Sequence, residues 1–343
     1  LTTKDGSLWI AYGGYGVAGG GLDHYNPKTN KCNHYVIGDN LSTQLTDSNI
    51  TDLIIDHYGA LWATSWSGGL WRLSSSGQFI NIKHDPADPE SLSTNSVFSI
   101  YEDRSGVIWI GTLGAGINKL NLDTLQFNTY INDPSNPSSL PSDHVGSFAQ
   151  TTDGSIWVGI WEYGLTRFNP KLGTFLQYKN DPSDPNSISS DLVSSLYADP
   201  DGTLWVGTLG NGLDHFDPKT RIFTHYANIP GDPGSLADNQ VSTLFMDPAG
   251  RLWVGSFSGL ARFDRETKTF VNYQMPAPAV SFAMIRDELW IGTWGAGFLR
   301  LDLSKSANLD PALAEFSTMT NIPDDPNSLS SNGVWSIVQS PEG

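Results

Sequence analysis

A short motif built on tryptophan, an aliphatic-Trp-aliphatic step followed by a small residue, recurs seven times along the 343 residues. Its members are Trp9 (LWIA), Trp62 (LWAT), Trp109 (IWIG), Trp157 (IWVG), Trp205 (LWVG), Trp253 (LWVG) and Trp290 (LWIG). Successive tryptophans lie 53, 47, 48, 48, 48 and 37 residues apart. Seven units of this length occupy residues 1–343 and leave no room for a second domain, so the repeat dictates the fold.

Each unit reads as four strands. In the third, Val97–Tyr101 is strand A, the turn Asp103-Arg104-Ser105-Gly106 leads into Val107–Gly111 (strand B), and Gly114-Ala115-Gly116 precedes Ile117–Leu120 (strand C). Phe127–Tyr130 is strand D. Alternating apolar and polar residues bounded by Gly, Asp and Asn are strand and hairpin signals, and no segment sustains a helical period. One such unit cannot bury both faces, whereas seven stacked in a ring can. The expectation is an all-β, seven-bladed propeller of four-stranded antiparallel blades. The first unit lacks strand A, and Asn332–Val338 repeats residues 95–101. That segment is expected to pair with Ser7–Ala11 and complete the first blade, the alternative being an eighth unit in a parent chain. Both ends look cut, as in a domain excised from a longer polypeptide.

Acidic residues outnumber basic ones 36 to 19, for a formal charge of -17. A chain this acidic has no electrostatic footprint for nucleic acid and is repelled by anionic lipid surfaces. Its single cysteine, Cys32, precludes an intrachain disulfide and disfavours a disulfide-stapled scaffold. No apolar run is long enough to span a bilayer.

The WD40 pattern places Trp-Asp late in a shorter unit, and the Asp-box of sialidase-like propellers sets its aspartate five residues before tryptophan. Here the aspartates lie six residues before (Asp56, Asp103, Asp199, Asp247) or four (Asp5, Asp153, Asp201). Five D-to-A linkers are nearly one peptide: HDPADPESLSTNSV (84–97), NDPSNPSSLPSDHV (132–145), NDPSDPNSISSDLV (180–193), NIPGDPGSLADNQV (228–241) and NIPDDPNSLSSNGV (321–334). With D-x-x-G-x-[LI]-W-[IV]-G-T and G-L-x-[HR]-[FL]-[DN], they make all seven units resemble the two-component regulator propeller repeat. The linker is degenerate at 38–49 and nearly absent at 275–280. The resemblance implies an extracytoplasmic input region of a bacterial membrane sensor, periplasmic, coupled elsewhere in the parent chain to a histidine kinase or diguanylate cyclase and dimerised there.

The motif tryptophans recur in every unit and read as inter-blade packing. The Asp-Pro pairs and hairpin aspartates read as turn residues. His24 and His215 share one column and His34 and His225 another, filled elsewhere by residues typical of surfaces. No spacing suits a metal, no nucleophile elbow exists, and Gly13–Gly21 lacks the phosphate-loop lysine. No cofactor, metal or catalytic set is expected.

What varies between units is more informative. The fourth residue after each motif tryptophan is Gly13, Trp66, Leu113, Trp161, Leu209, Phe257 or Trp294. It ends strand B, on the face that also carries the linkers. Aromatics there suit sugar faces, peptides or cations. The fourth unit replaces Gly-x-Gly with Glu162-Tyr163-Gly164, and the first inserts residues carrying Tyr12 and Tyr15. The candidate ligand contacts are therefore Tyr12, Tyr15, Trp66, His144, Trp161, Glu162, Tyr163, Phe257, Trp294 and Trp335. The expected ligand is a small molecule, an oligosaccharide foremost, with membrane contact only through a segment outside this chain. The alternatives are a protein-docking scaffold, or a propeller lyase or glycoside hydrolase in which Glu162 and a linker aspartate share acid–base work.

Overall fold

Every unit of this sequence alternates strand-forming runs with tight turns, and each run finds its partner in the next. In the computed structural model, which describes residues 6–13, 20–35, 47, 49–74, 77–305 and 309–340, seven four-stranded antiparallel sheets result. They are the blades of a seven-bladed β-propeller, all-β as the periodicity predicts. The third comprises Val97–Glu102, Ile108–Thr112, Ile117–Asn121 and Gln126–Tyr130 in up-and-down order. The first joins both ends of the described chain. Val334–Gln339 pairs with Leu8–Tyr12, setting Leu8 opposite Gln339 and Ile10 opposite Ile337, as the repeated segment predicts.

The chain divides into two compact units. The seventh, first and second blades form one, and the third to sixth form the other. In both, the motif tryptophans are at most 5% exposed. Their surroundings in the second unit are repetitive. Trp109 meets Phe168 edge-on at 5.3 Å, Tyr130 meets Phe168 at 4.9 Å, and Phe168 stacks on Phe175 at 4.4 Å. Trp157, Tyr178, Phe216 and Phe223 repeat this four-ring cluster, as do Trp205, Tyr226, Phe263 and Phe270. Rings that meet edge-on or offset gain beyond the area they bury, which makes the inter-blade seam the core of the molecule.

Two polar devices hold this frame. The first is the aspartate six residues before tryptophan. Asp103 takes the backbone N–H groups of Ser105 and Val107 on Oδ1 and the Trp109 indole N–H on Oδ2 at 2.8 Å. Asp56 and Asp247 repeat both contacts. Burial acts to raise the Asp103 pKa, but the hydrogen bonds from Ser105, Trp109 and Val107 outweigh it and hold the carboxyl below its ordinary value. The hairpin aspartates are thus more than turn residues. Asp56, Asp103, Asp199 and Asp247 each tie a turn to a buried indole, and in the fourth blade Thr151 takes that place.

The second device is the linker. Asn132 donates its backbone N–H to Asp143 Oδ1 and its side-chain amide to the Leu140 carbonyl. The Asp143 carbonyl accepts the N–H groups of Gly114 and Gly116 from the preceding blade. Gly116 has φ +73°, and a Cβ there would fall 2.1 Å from the Tyr130 carbonyl oxygen, so this turn requires glycine. The same bonds recur at Asn228/Asn239 and Asn321/Asn332, and at Asn180/Asp191 with Gly164 as the one backbone donor to the Asp191 carbonyl. The linker's apolar residue, Leu92, Leu140, Ile188, Leu236 or Leu329, is buried each time. The linkers are straps whose Asp-Pro turns stay exposed while their second halves plug the seam.

Candidate functional site

At the end of strand B, the residue four past the motif tryptophan extends the A–B ladder by one bond. The N–H groups of Trp66, Trp161, Leu209, Phe257 and Trp294 donate to the carbonyls of Asn49, His144, Leu192, Gln240 and Pro278. Each side chain is thereby set beside the linker end of its own blade, as the up-and-down order requires. Gly13 carries no side chain for a steric reason: a Cβ would overlap Asn49 and the Ile50 carbonyl.

In the second unit, three more predicted residues neighbour Trp161 in the ladder or the turn. The indole is half-buried and lies over Gly146, where a Cβ would come within 2.5 Å of Nε1. Phe98 meets it edge-on at 5.6 Å. His144 is exposed and gives its carbonyl to the Trp161 N–H. Glu162 follows in a left-handed conformation (φ +63°) that turns the chain, and its side chain is exposed. Tyr163 is exposed with the Lys179 ammonium 5.1 Å above its ring, a cation–π contact. Gln177 donates to the Tyr163 carbonyl. The Trp161 indole thus lies over strand A, between Gly146 and Phe98, while Tyr163 meets Lys179 and Gln177 of strand D at the other side of the blade. Such a half-exposed indole can take the apolar face of a ligand.

The remaining predicted residues do not join this cluster. Phe257 is exposed at the equivalent place on the sixth blade. In the first unit, Trp294 meets Trp335 edge-on at 5.9 Å, both half-buried, and Trp66 is half-buried on the second blade. Tyr12 requires correction as a contact. It is fully buried, and its hydroxyl donates to Asp23 at 2.5 Å. Burial and the facing Asp23 carboxylate push that phenol well above its ordinary pKa. Tyr15 lies outside the described residues.

Both histidine columns do more than decorate a surface. His24 stacks on Trp9 at 4.4 Å and His215 covers Trp205 at 4.3 Å. In the same column Arg72, Lys119, Arg167 and Arg300 lie over Trp62, Trp109, Trp157 and Trp290. His34 and His225 bridge buried aspartates to linkers. Nδ1 of each meets Asp23 or Asp214, at 2.8 and 2.7 Å, and Nε2 meets the carbonyl of Pro326 or Pro185. The carboxylate hydrogen bond holds both imidazoles above their ordinary pKa.

Asp23, Cys32 and His34 also place three metal-type ligand atoms within 4.8 Å of one another. Asp23 already accepts from Tyr12, His34 and the Ser330 N–H and hydroxyl. The pair recurs as Asp214–His225 with Phe223 where Cys32 stands. This is the arrangement of a strap clamp, and burial pushes the Cys32 thiol up, away from the thiolate a metal needs.

Among the described residues, no helix is long and apolar enough to cross a membrane. No curated protein sequence matches the chain. Solved structures do. The extracellular domain of BT3049 from B. thetaiotaomicron, named as a hybrid two component system, is 26% identical with a TM-score of 0.72, over 84% of this chain and 37% of that one. The extracellular domain of BT4673 from the same organism, named as a one component system, is 18% identical with a TM-score of 0.63, over 94% and 49%. A catalytically inactive virginiamycin B lyase from Staphylococcus aureus, solved with quinupristin, shares the fold at 16% identity and a TM-score of 0.56, over 85% and 94%. The chain therefore spans less than half the length of the two sensor-domain relatives. Residues 91–114, 187–210 and 235–258 match the two component regulator propeller family, and it is to extracellular sensor propellers of such systems that this chain is similar.

Proposed function

We propose that this propeller is the periplasmic input domain of an inner-membrane signal-transduction protein and that it binds a small ligand, an oligosaccharide foremost, at the aromatic cluster on its fourth blade. The observation that carries the reading is the seating of Trp161. Gly146 vacates the space beneath the indole, Phe98 buttresses its edge, and the exposed Glu162 and Tyr163 follow it in the turn. A ring supported from below yet half-open above is a binding surface rather than a core residue. The similarity to extracellular domains of two-component systems supports an extracytoplasmic sensor propeller. Sensing then requires only a ligand that binds two signalling states unequally, read out by a dimerised parent protein.

Binding is favoured over turnover. Acid–base hydrolysis needs two positioned carboxyls. Asp191, the linker aspartate that follows Glu162, is committed to the strap through Asn180, with Lys179 at 3.8 Å. A thermal-shift screen against neutral and basic oligosaccharides, amino acids and short peptides tests the reading. A ligand at a hundred times its Kd stabilises by about 2.7 kcal/mol. The expected result is a shift that Trp161→Ala abolishes, with the ligand recovered intact. A ligand converted by the wild type but not by Glu162→Gln establishes an enzyme instead, and a silent panel with capture of a periplasmic protein establishes a scaffold.

A further inference from the structure

The repeated four-ring cluster is an internal standard, and the junction of the seventh and first blades departs from it. Trp290 keeps its place and Tyr25 stands where Phe168 and Phe216 stand, tilted 6.0 Å from the indole. The strand-D tyrosine of the three junctions within the second unit (Tyr130, Tyr178, Tyr226) is here Met319, by its pairing with Phe298. The phenylalanine that stacks on its cross-strand partner (Phe175 on Phe168, Phe223 on Phe216) is here Cys32, opposite Tyr25. Phe298 adds a ring of its own, 5.0 Å from Trp290 and 5.5 Å from Tyr25, so this seam holds three rings where the standard holds four. Beside Tyr25 and Met319 lies an open cleft of about 440 Å³, within the size range of small-ligand sites.

The cleft has an apolar floor of Tyr25, Phe298 and Met319 and polar walls that include Asn30, Arg300, Ser317 and Asn327. Its arginine is already engaged. The Arg300 guanidinium lies over Trp290, donates to the Ser317 hydroxyl and pairs with Glu288 at 3.4 Å. The Asp325 carboxylate accepts the Asn327 N–H. Such a lining offers hydrogen bonds in several directions without calling for an ion. The net charge of -17 further disfavours an anion. We propose that this cleft is a binding site for a small uncharged molecule rich in hydroxyls. It shares no residue with the cluster around Trp161 and does not rest on it.

The molecule contains the pattern for filling the cleft from Met319, which lines it, with a ring at Cys32, outside the lining, supporting Tyr25 from the opposite strand. Phe223 coexists with the Asp214–His225 clamp, so a phenylalanine at position 32 is compatible with Asp23–His34. The test uses saturation-transfer NMR and calorimetry with glucose, galactose, N-acetylglucosamine, myo-inositol, cellobiose and maltose. At least one is expected to bind the wild type, and Cys32→Phe/Met319→Tyr to weaken it by about tenfold or more with Tm unchanged or raised. Ser317→Trp, which covers the cleft from an exposed strand position, serves as the second variant should the double one misfold, and is expected to weaken binding likewise. Trp161→Ala is expected to leave this binding intact. Binding untouched by filling overturns the proposal, as does silence from all six probes. Binding lost in Trp161→Ala alone also overturns it, while supporting the fourth-blade reading.

Discussion

At the scale of the residue, the motif tryptophan is held in four blades by an aspartate that accepts its N–H, in the fourth blade by Thr151 instead, and in most blades by a cation or imidazole over its ring. Removing the aspartate strands the buried indole N–H and releases two backbone donors of the turn. Asp103→Ala is therefore expected to cost about 2–4 kcal/mol in urea unfolding, whereas exposed Asp133→Ala stays within about 0.5 kcal/mol. Gly146→Ala drives a methyl into the Trp161 indole and is expected to cost about 1–3 kcal/mol. Adding Trp161→Ala relieves the overlap, so the double-mutant cycle should show a coupling energy that restores stability. The spacing of Asp and Trp was legible in the sequence. The bond between them was not, because a turn alone accounts for aspartate at that place. Tyr12 misled for a related reason. A tyrosine beside an inserted glycine run reads as exposed until Asp23 is seen to bury its hydroxyl.

At the scale of the element, the linkers carry the stability that the short strands cannot. Their repeated letters divide into exposed turns and buried plugs. Ile188→Ala is expected to lose about 3 kcal/mol, as large-to-small changes in cores do, and Pro182→Ala, six residues earlier, almost nothing. Equal losses at the two positions would show that the strap works through its turns instead. The blades themselves were readable down to strand order, because a period of two bounded by Gly and Asp has one interpretation when repeated seven times. Which letters of the linker point inward was not readable, since Leu140 and Ile188 sit in polar runs whose register comes from the Asn132 and Asn180 hydrogen bonds. The opened junction of the seventh and first blades was likewise invisible. Cys32 and Met319 lie 287 positions apart, and only the strand pairing brings their columns together.

At the scale of the molecule, His34 and His225 make the straps pH-sensitive. Each is held above its ordinary pKa by a buried carboxylate and also meets a linker carbonyl, so the imidazolium suits both contacts. Their contribution is complete below the unfolded value of about 6.5 and is lost as pH rises through the higher folded value. The Tm is expected to fall as pH climbs from about 6 to 8, and the fall to flatten in His34→Asn/His225→Asn. An identical slope in the variant would refute the clamp. The first blade has a further consequence. Because Leu8 faces Gln339, the chain enters and leaves at one end of the same strand pair. Tension between the two ends peels that ladder one hydrogen bond at a time instead of shearing all its bonds together. The first blade is then the mechanical fuse of the propeller, and in an optical trap it should be the first to yield, at low force, before the blades closed by a single stretch of chain.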